Sequence, residues 1–177
     1  VIACKAHRPQ MATVRPGVFP LPRPRSRSPL GRIKTFHAEI PADAVRTEVV
    51  ERKFGGESGL TRARFLVVGG RGVNGDFKVL EELARKIGAE IGATRVAVDE
   101  GWIGRDRMVG QTGYSTRPRV AIACGVSGAL QFMVGVQSAD VIVAINNDPE
   151  APIFEQVDYA VSGDLHQVVP ALVKALK

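Results

Sequence analysis

Cysteine and histidine are scarce in this chain, at two and three among 177 residues. Cys4 and Cys124 stand far apart, and with the scattered histidines they give no metal-ligand spacing. A lone disulfide would be out of place in a reducing compartment, so Cys124, at the end of an apolar run, reads as a buried thiol. His7, His37 and His166 read as surface or structural side chains. No apolar run approaches the roughly 18 to 20 residues a membrane span needs. The opening VIACKAHRPQ lacks the apolar core and cleavage site of a secretory signal. It also lacks Met and reads as a cut through a strand, as expected of a fragment or a processed chain. No glycine turn ends in GK[ST], which excludes a P-loop. Ser127 is not in GxSxG, since Ala129 takes the place of the last glycine and only the distant His166 is left as a partner. No close carboxylate pair suits hydrolysis, and no internal repeat is present.

What remains is a globular composition, 45% hydrophobic and 24% charged, long enough for one domain with a real core. The net charge of +6 is unevenly spread. Residues 1–60 carry 11 basic and 5 acidic side chains (+6), leaving 13 of each in 61–177. The excess lies among prolines, at Arg15, Arg23, Arg25, Arg27, Arg32 and Lys34. No aromatic interleaving or recognition helix accompanies it, so a solvated linker or protein-contact arm is expected rather than a nucleic-acid partner.

Along the chain, Val1–Ala6 and Ile33–Ile40 read as strands, Thr13–Pro29 as a Pro/Arg/Ser linker, and Arg46–Phe54 as a strand with its partner missing. The compact part is expected to begin near Ala63. Phe65–Val68 is an apolar strand. Asp76–Ile87 has helical spacing, with Asp76 as a cap and Gly88 as a stop. Ala89–Ile91 is short and apolar, and Thr94–Val98 reads as extended. Val120–Cys124 is a strand and Ser127–Val136 a helix weakened by Gly135. Val141–Ile145 is β-branched and unbroken, as a buried parallel strand should be. Tyr159–Val161 is a brief strand. Leu165–Leu176 is an amphipathic helix in which Pro170 requires a kink or broken turn.

Strand, glycine turn, helix, strand and polar tip over Val120–Pro149 make one βαβ unit of an open parallel sheet. Ligands of such sheets sit beyond the carboxyl ends of the strands. Gly70-Arg71-Gly72-Val73-Asn74-Gly75 matches GxGxxG after a strand, but bulky polar residues and a missing acidic ribose clamp weaken it. It is either a pyrophosphate cradle or a tight turn with a surface arginine; Arg71 suits an electron-rich ring or a phosphate. Gly125, Ser127 and Gly128 at an expected helix start either present N–H groups to a phosphate or make Ser127 an N-cap. Gln111 and Thr112, in the turn Gly110–Gly113, suit a heterocycle edge. Asn146 and Asp164 stand at strand ends, with Asp164 equally readable as a helix cap. Together these favour a bound nucleotide cofactor.

GQTG, CGVSGALQ, AINNDPEAPIF and DYAVSGDLHQVVP, in order, strongly resemble the FAD-binding domain of the electron transfer flavoprotein alpha subunit. VVGGRG and TRVAVDEG fit its earlier motifs, and VRPGVFP the end of its preceding domain. The resemblance implies residues 1–60 as a remnant of that domain with a linker, and 61–177 as the FAD-binding domain. The implied fold is a three-layer, Rossmann-like α/β domain on an open parallel sheet, related to the middle domain of thiamine-dependent enzymes, with an extended N-terminal arm. The implied role is electron carriage, not turnover of an organic substrate. Electrons would come from acyl-CoA or other dehydrogenases and pass to an acceptor such as a membrane quinone reductase, with a beta subunit as partner. The implied compartment is the prokaryotic cytoplasm or the mitochondrial matrix.

Cofactor contacts are implied at Arg71, Thr94, Arg95, Gln111, Thr112, Gly113, Ser127, Gly128, Ala129, Gln131, Asn146 and Asp164. Arg95 would lie over the isoalloxazine and steady its reduced anion, Thr112 would reach N5, Ser127 and Gly128 the diphosphate, and Asn146 and Asp164 the adenosine. Two positions depart from the family. Phe132 follows Gln131 where many relatives carry His, and it can neither donate a hydrogen bond nor carry charge. Tyr114 stands where a basic residue is common, with Arg117 and Arg119 as nearby replacements. The arm would leave unpaired strand edges, so weak or partial FAD retention and self-association are expected of the isolated chain. The competing expectations are a nicotinamide- or coenzyme-binding enzyme domain, a structural domain without flavin, and an interaction module driven by the arm.

Overall fold

The computed structural model describes residues 8–14, 19, 34–41, 44, 47, 50 and 59–176. By proximity the chain divides into Val1–Phe19 with Glu57–Lys177, and Pro20–Gly56. The strands expected at Val1–Ala6 and most of Arg46–Phe54 lie outside the described residues, as does most of the Pro-rich linker. Residues 34–40 are described and form no strand, which corrects the expectation for Ile33–Ile40. Phe36 among them is exposed, as are Phe19 and Val50, the last at 94%.

Residues 59–176 are built on five parallel strands: β1 (Phe65–Gly69), β2 (Glu90–Ala93), β3 (Val120–Cys124), β4 (Val141–Asn146) and β5 (Tyr159–Ser162). Their order in the sheet is β2-β1-β3-β4-β5. Leu66, Val67 and Val68 are aligned with Ala121, Ile122 and Ala123, which in turn face Ile142, Val143 and Ala144. Successive side chains on a strand point to opposite faces, so this register sorts the apolar residues into two layers. Leu66, Val68, Ala121, Ala123, Ile142 and Ala144 meet Phe132, Met133 and Val136 on one face. Val67, Ile122, Cys124 and Ile145 meet Leu80, Leu83, Leu165 and Val169 on the other. The result is the three-layer α/β fold. Asp158 starts the last pairing, its Oδ2 accepting from Ile142 N at 2.7 Å while its own N–H donates to Ile142 O. β2 and β5 are the two edge strands, and Tyr159 on β5 is 64% exposed.

The helices are α1 (Lys78–Ile87), α2 (Arg95–Asp99), α3 (Leu130–Val136) and α4 (Leu165–Ala175). α1 presents Leu80, Leu83 and Ala84 to the sheet and stops at Gly88, whose φ of 66° is left-handed, as expected. Asp76 contributes from outside the helix: its Oδ1 accepts from Lys78 N. Thr94–Val98, expected to be extended, is instead the N-cap and first turns of α2, because burying Ala97 outweighs the β-preference of its valines. α3 begins three residues later than expected. Gly125 and Gly128 have φ of 62° and 91°, which keeps the chain irregular as far as the cap at Ala129. Ser127 therefore caps nothing. Pro170 lies inside α4, which continues unbroken through it at the cost of one backbone hydrogen bond.

Cys124 is fully buried, and burial pushes its thiol up to about 12 from 9.0. A thiol raised on folding contributes its full stability below pH 9 and loses it progressively up to about pH 12, as the unfolded chain ionises first. In a Cys4→Ser background, the thiol should resist an aromatic disulfide reagent at pH 8 and react fully on addition of denaturant. Rapid labelling of the folded protein would contradict this burial.

Candidate functional site

In a sheet of this order the chain reverses direction between β1 and β3, and the loops leaving their carboxyl ends diverge into a crevice. A cleft of about 570 Å³ opens there, a size suited to a cofactor. It is lined by the loops after β1 (Gly70, Arg71, Gly72), β2 (Thr94, Arg95, Val96), β3 (Gly125, Val126, Ser127, Ala129, with Gln131 and Phe132 of α3) and β4 (Asn146, Asn147, Asp148, Ala151, Pro152). Met108–Thr112 complete it. Of the residues expected at the site, Arg71, Thr94, Arg95, Gln111, Thr112, Ser127, Ala129, Gln131 and Asn146 line the cleft; Gly113, Gly128 and Asp164 do not.

Those last three have structural work. A Cβ on Gly113 would overlap Met108 O, and one on Gly128 would come within 2.6 Å of Ile153 N. Asp164 caps α4, its Oδ1 accepting from His166 N at 2.9 Å. Asn146, 9% exposed, spends much of its amide inside the protein: Nδ2 donates to Val126 O at 2.9 Å and Oδ1 accepts from Asp148 N at 3.0 Å. It thereby ties the β3 loop to the β4 tip.

Gly70 and Gly72 of the GxGxxG stretch line the cleft and also pack against a neighbouring loop. A Cβ on Gly72 would stand 2.8 Å from Gly125 Cα, and one on Gly125 would stand 2.7 Å from Gly72 Cα. Gly72 N donates to Gly125 O, Gly70 N to Cys124 O and Gly125 N to Ile145 O. The bare faces of Gly72 and Gly125 are turned to each other, so these glycines fit loop to loop.

The wall carrying Gln111 and Thr112 is pinned in the same way. Gln111 N donates to Gln131 O at 2.7 Å, and Thr116 donates to Gly135 O through both its N–H and its Oγ1. A Cβ on Gly135 would come within 2.7 Å of Gly110 Cα. Phe132 lines the cleft while its ring stays in the core at 6% exposure. Arg117 and Arg119 are not at the cleft. Tyr114 does not line it either, and Arg119 precedes β3, where its N–H donates to Arg64 O at the sheet's amino end.

The chemistry of the lining fits an extended anionic ligand. Arg71 and Arg95 are its cations, and Asp148 is its sole carboxylate among the described residues, with Oδ1 already accepting from Glu150 N. The lining also includes the polar residues Gln111, Thr112, Ser127 and Gln131. Met108, Val109, Val126 and Phe132, all buried, form the apolar part of the lining. Val96, Met108 and Val109 were not expected there, and Asn147 and Asp148 were expected at this edge as part of the polar tip but not as named contacts. Asn147 and Asp148 carried a usable signal, since they follow the clearest strand; Met108 and Val109 carried none.

A parallel sheet with a cation-lined cleft at its switch point defines a nucleotide-cofactor-binding α/β domain. Residues 59–137 match the family model of the electron transfer flavoprotein FAD-binding domain, and this part of the chain belongs to that family, whose cofactor is FAD. The similarity to curated alpha subunits runs further. The electron transfer flavoprotein subunit alpha of Thermoanaerobacterium thermosaccharolyticum is 42% identical over 99% of this chain and 54% of its own length. That of Clostridium acetobutylicum is 44% identical with the same coverage. The mitochondrial subunit alpha of Dictyostelium discoideum is 52% identical over 67% of this chain and 34% of its own. The chain thus spans about half the length of the first two relatives. No helix among the described residues is long and apolar enough to cross a membrane.

Proposed function

We propose that this chain is the FAD-carrying part of an electron transfer flavoprotein alpha subunit, with residues 61–177 as the FAD-binding domain and 1–60 as the remnant of a preceding domain and linker. It works as an electron carrier with a beta subunit, accepting electrons from acyl-CoA or other dehydrogenases and delivering them to an acceptor such as a membrane quinone reductase. Its compartment is the cytoplasm in a prokaryote or the mitochondrial matrix in a eukaryote. Exposed Phe19, Phe36 and Val50 suit contact with a partner chain. The observation that carries the reading is the convergence of Arg71, Arg95, Gln111, Thr112 and Ser127, from separate loops, on one cleft.

FAD supplies reversible electron uptake, a chemistry that side chains lack. The protein's part is to bind, orient and tune. Arg71 and Arg95 favour the ligand's negative charge, more so when an electron is added. Gln111 and Thr112 offer an amide and a hydroxyl to the ring's polar edge. Ser127 and the adjoining loop would hold the diphosphate. Asn146 keeps that loop and the β4 tip in register, and Asp164 acts through the start of α4. Phe132 excludes water but supplies neither a hydrogen bond nor charge, so the reduced ring is less stabilised than beside a histidine.

Titrating purified, flavin-free chain with FAD tests the reading. The expected result is saturable quenching of flavin fluorescence, with a perturbed visible band, at micromolar protein. No saturable change would overturn it.

A further inference from the structure

The geometry points to Asp99 as a positioning residue for Arg95: it holds the guanidinium at the cleft rim and sets how much positive field a bound flavin experiences. The inference rests on the FAD reading above. Arg95 and Asp99 are the first and last residues of α2, one turn apart. Helical side chains lean toward the helix N-terminus, so a carboxylate at 99 reaches back over the turn to the side chain at 95. Asp99 Oδ2 accepts from Arg95 Nε at 3.2 Å. Arg95 lines the cleft and Asp99 does not. The tether uses Nε, leaving both Nη groups for a ligand.

Asp99 therefore does two separable things. Its hydrogen bond restricts a long side chain that is 70% exposed and would otherwise sample many rotamers. Its charge offsets part of the guanidinium's field across the cleft. Both groups face solvent, which screens the pair and limits the effect to a few-fold. Asp99→Asn keeps an acceptor oxygen and removes the charge. Asp99→Ala removes both.

The experiment compares the full-length chain with D99N, D99A, R95Q and R95Q/D99N. It measures affinity for oxidised FAD, the reduction potential of bound FAD, and exchange of the Arg95 Nε proton in flavin-free protein. D99N should bind oxidised FAD about as well as the wild type while favouring reduced over oxidised FAD about threefold more. That ratio corresponds to about +28 mV for a one-electron couple. D99A should bind FAD about threefold more weakly, exchange the Arg95 proton faster and show no comparable gain in potential. In the R95Q background, D99N should shift nothing. The proposal is overturned if both Asp99 variants match the wild type, if they change alike, or if the shift survives loss of Arg95. A wild-type chain that takes up no FAD overturns instead the reading on which it rests.

Discussion

Gly125→Ala should be among the most damaging single-methyl changes in the domain, costing about 3 kcal/mol. Two effects add. The residue sits at φ 62°, where a side chain is strained, and its new Cβ would lie 2.7 to 3.0 Å from Gly72 Cα, Gly72 C and Val73 N. These are backbone atoms that cannot swing aside. Gly125 also donates to Ile145 O and accepts from Gly72 N, so any shift pulls the loops after β1 and β3 and the end of β4 at once. Thermal unfolding should fall by about 10 °C, and FAD affinity should drop with it because those loops frame the cleft. An unchanged melting temperature would show that the reciprocal glycine contact relaxes at no cost.

Gly135→Ala is the second large expectation, and its sign runs against helix propensity. In an open helix, alanine would gain about 1 kcal/mol over glycine. Here the added methyl meets Gly110 Cα at 2.7 Å, and Gly110, at φ 139°, has little room to yield. Overpacking of this kind costs about 1 to 3 kcal/mol, so a net loss of about 1 kcal/mol is expected. The larger effect falls on the ligand. The Gly110 turn carries Gln111 and Thr112 and is tied to α3 through Gln131 O and Gly135 O. Pushing it off α3 should weaken FAD binding about tenfold, some 1.4 kcal/mol. FAD titration alongside calorimetry separates the two losses; a stabilised variant with full FAD affinity would refute the clamp.

Several elements were legible in the sequence because their signals were local. Val141–Ile145 is β-branched and uninterrupted, and β4 covers it. The apolar spacing of Phe77, Leu80, Leu83 and Ala84, ended by Gly88, gives α1. The rule that ligands sit at the carboxyl ends of parallel strands was enough to bring Arg71, Gln111, Ser127 and Asn146 to one cleft.

What was not legible depended on contacts between distant segments. Thr94–Val98, with two β-branched valines, reads as extended, yet burial of Ala97 makes it the start of α2. Ser127 resembles a cap, but two left-handed glycines displace the helix start beyond it. Gly70 to Gly75 spell a dinucleotide fingerprint, while only the fold reveals that Gly72 faces Gly125. Asn146 and Asp164 stand at strand ends as ligand residues do, and only the hydrogen bonds show how far their side chains are committed within the protein. The strand order follows from long-range pairing, which no local pattern encodes.

The central claim is that FAD occupies the crevice between the β1 and β3 loops. The most direct measurement is an amide chemical-shift map of the full chain titrated with FAD. Shifts should concentrate at Gly70–Gly72, Thr94–Val96, Gly110–Thr112, Val126–Ala129 and Asn146–Asp148. Shifts gathered instead around Arg64, Arg119 and Asp140 at the opposite end of the sheet, or none at saturating FAD, would contradict it.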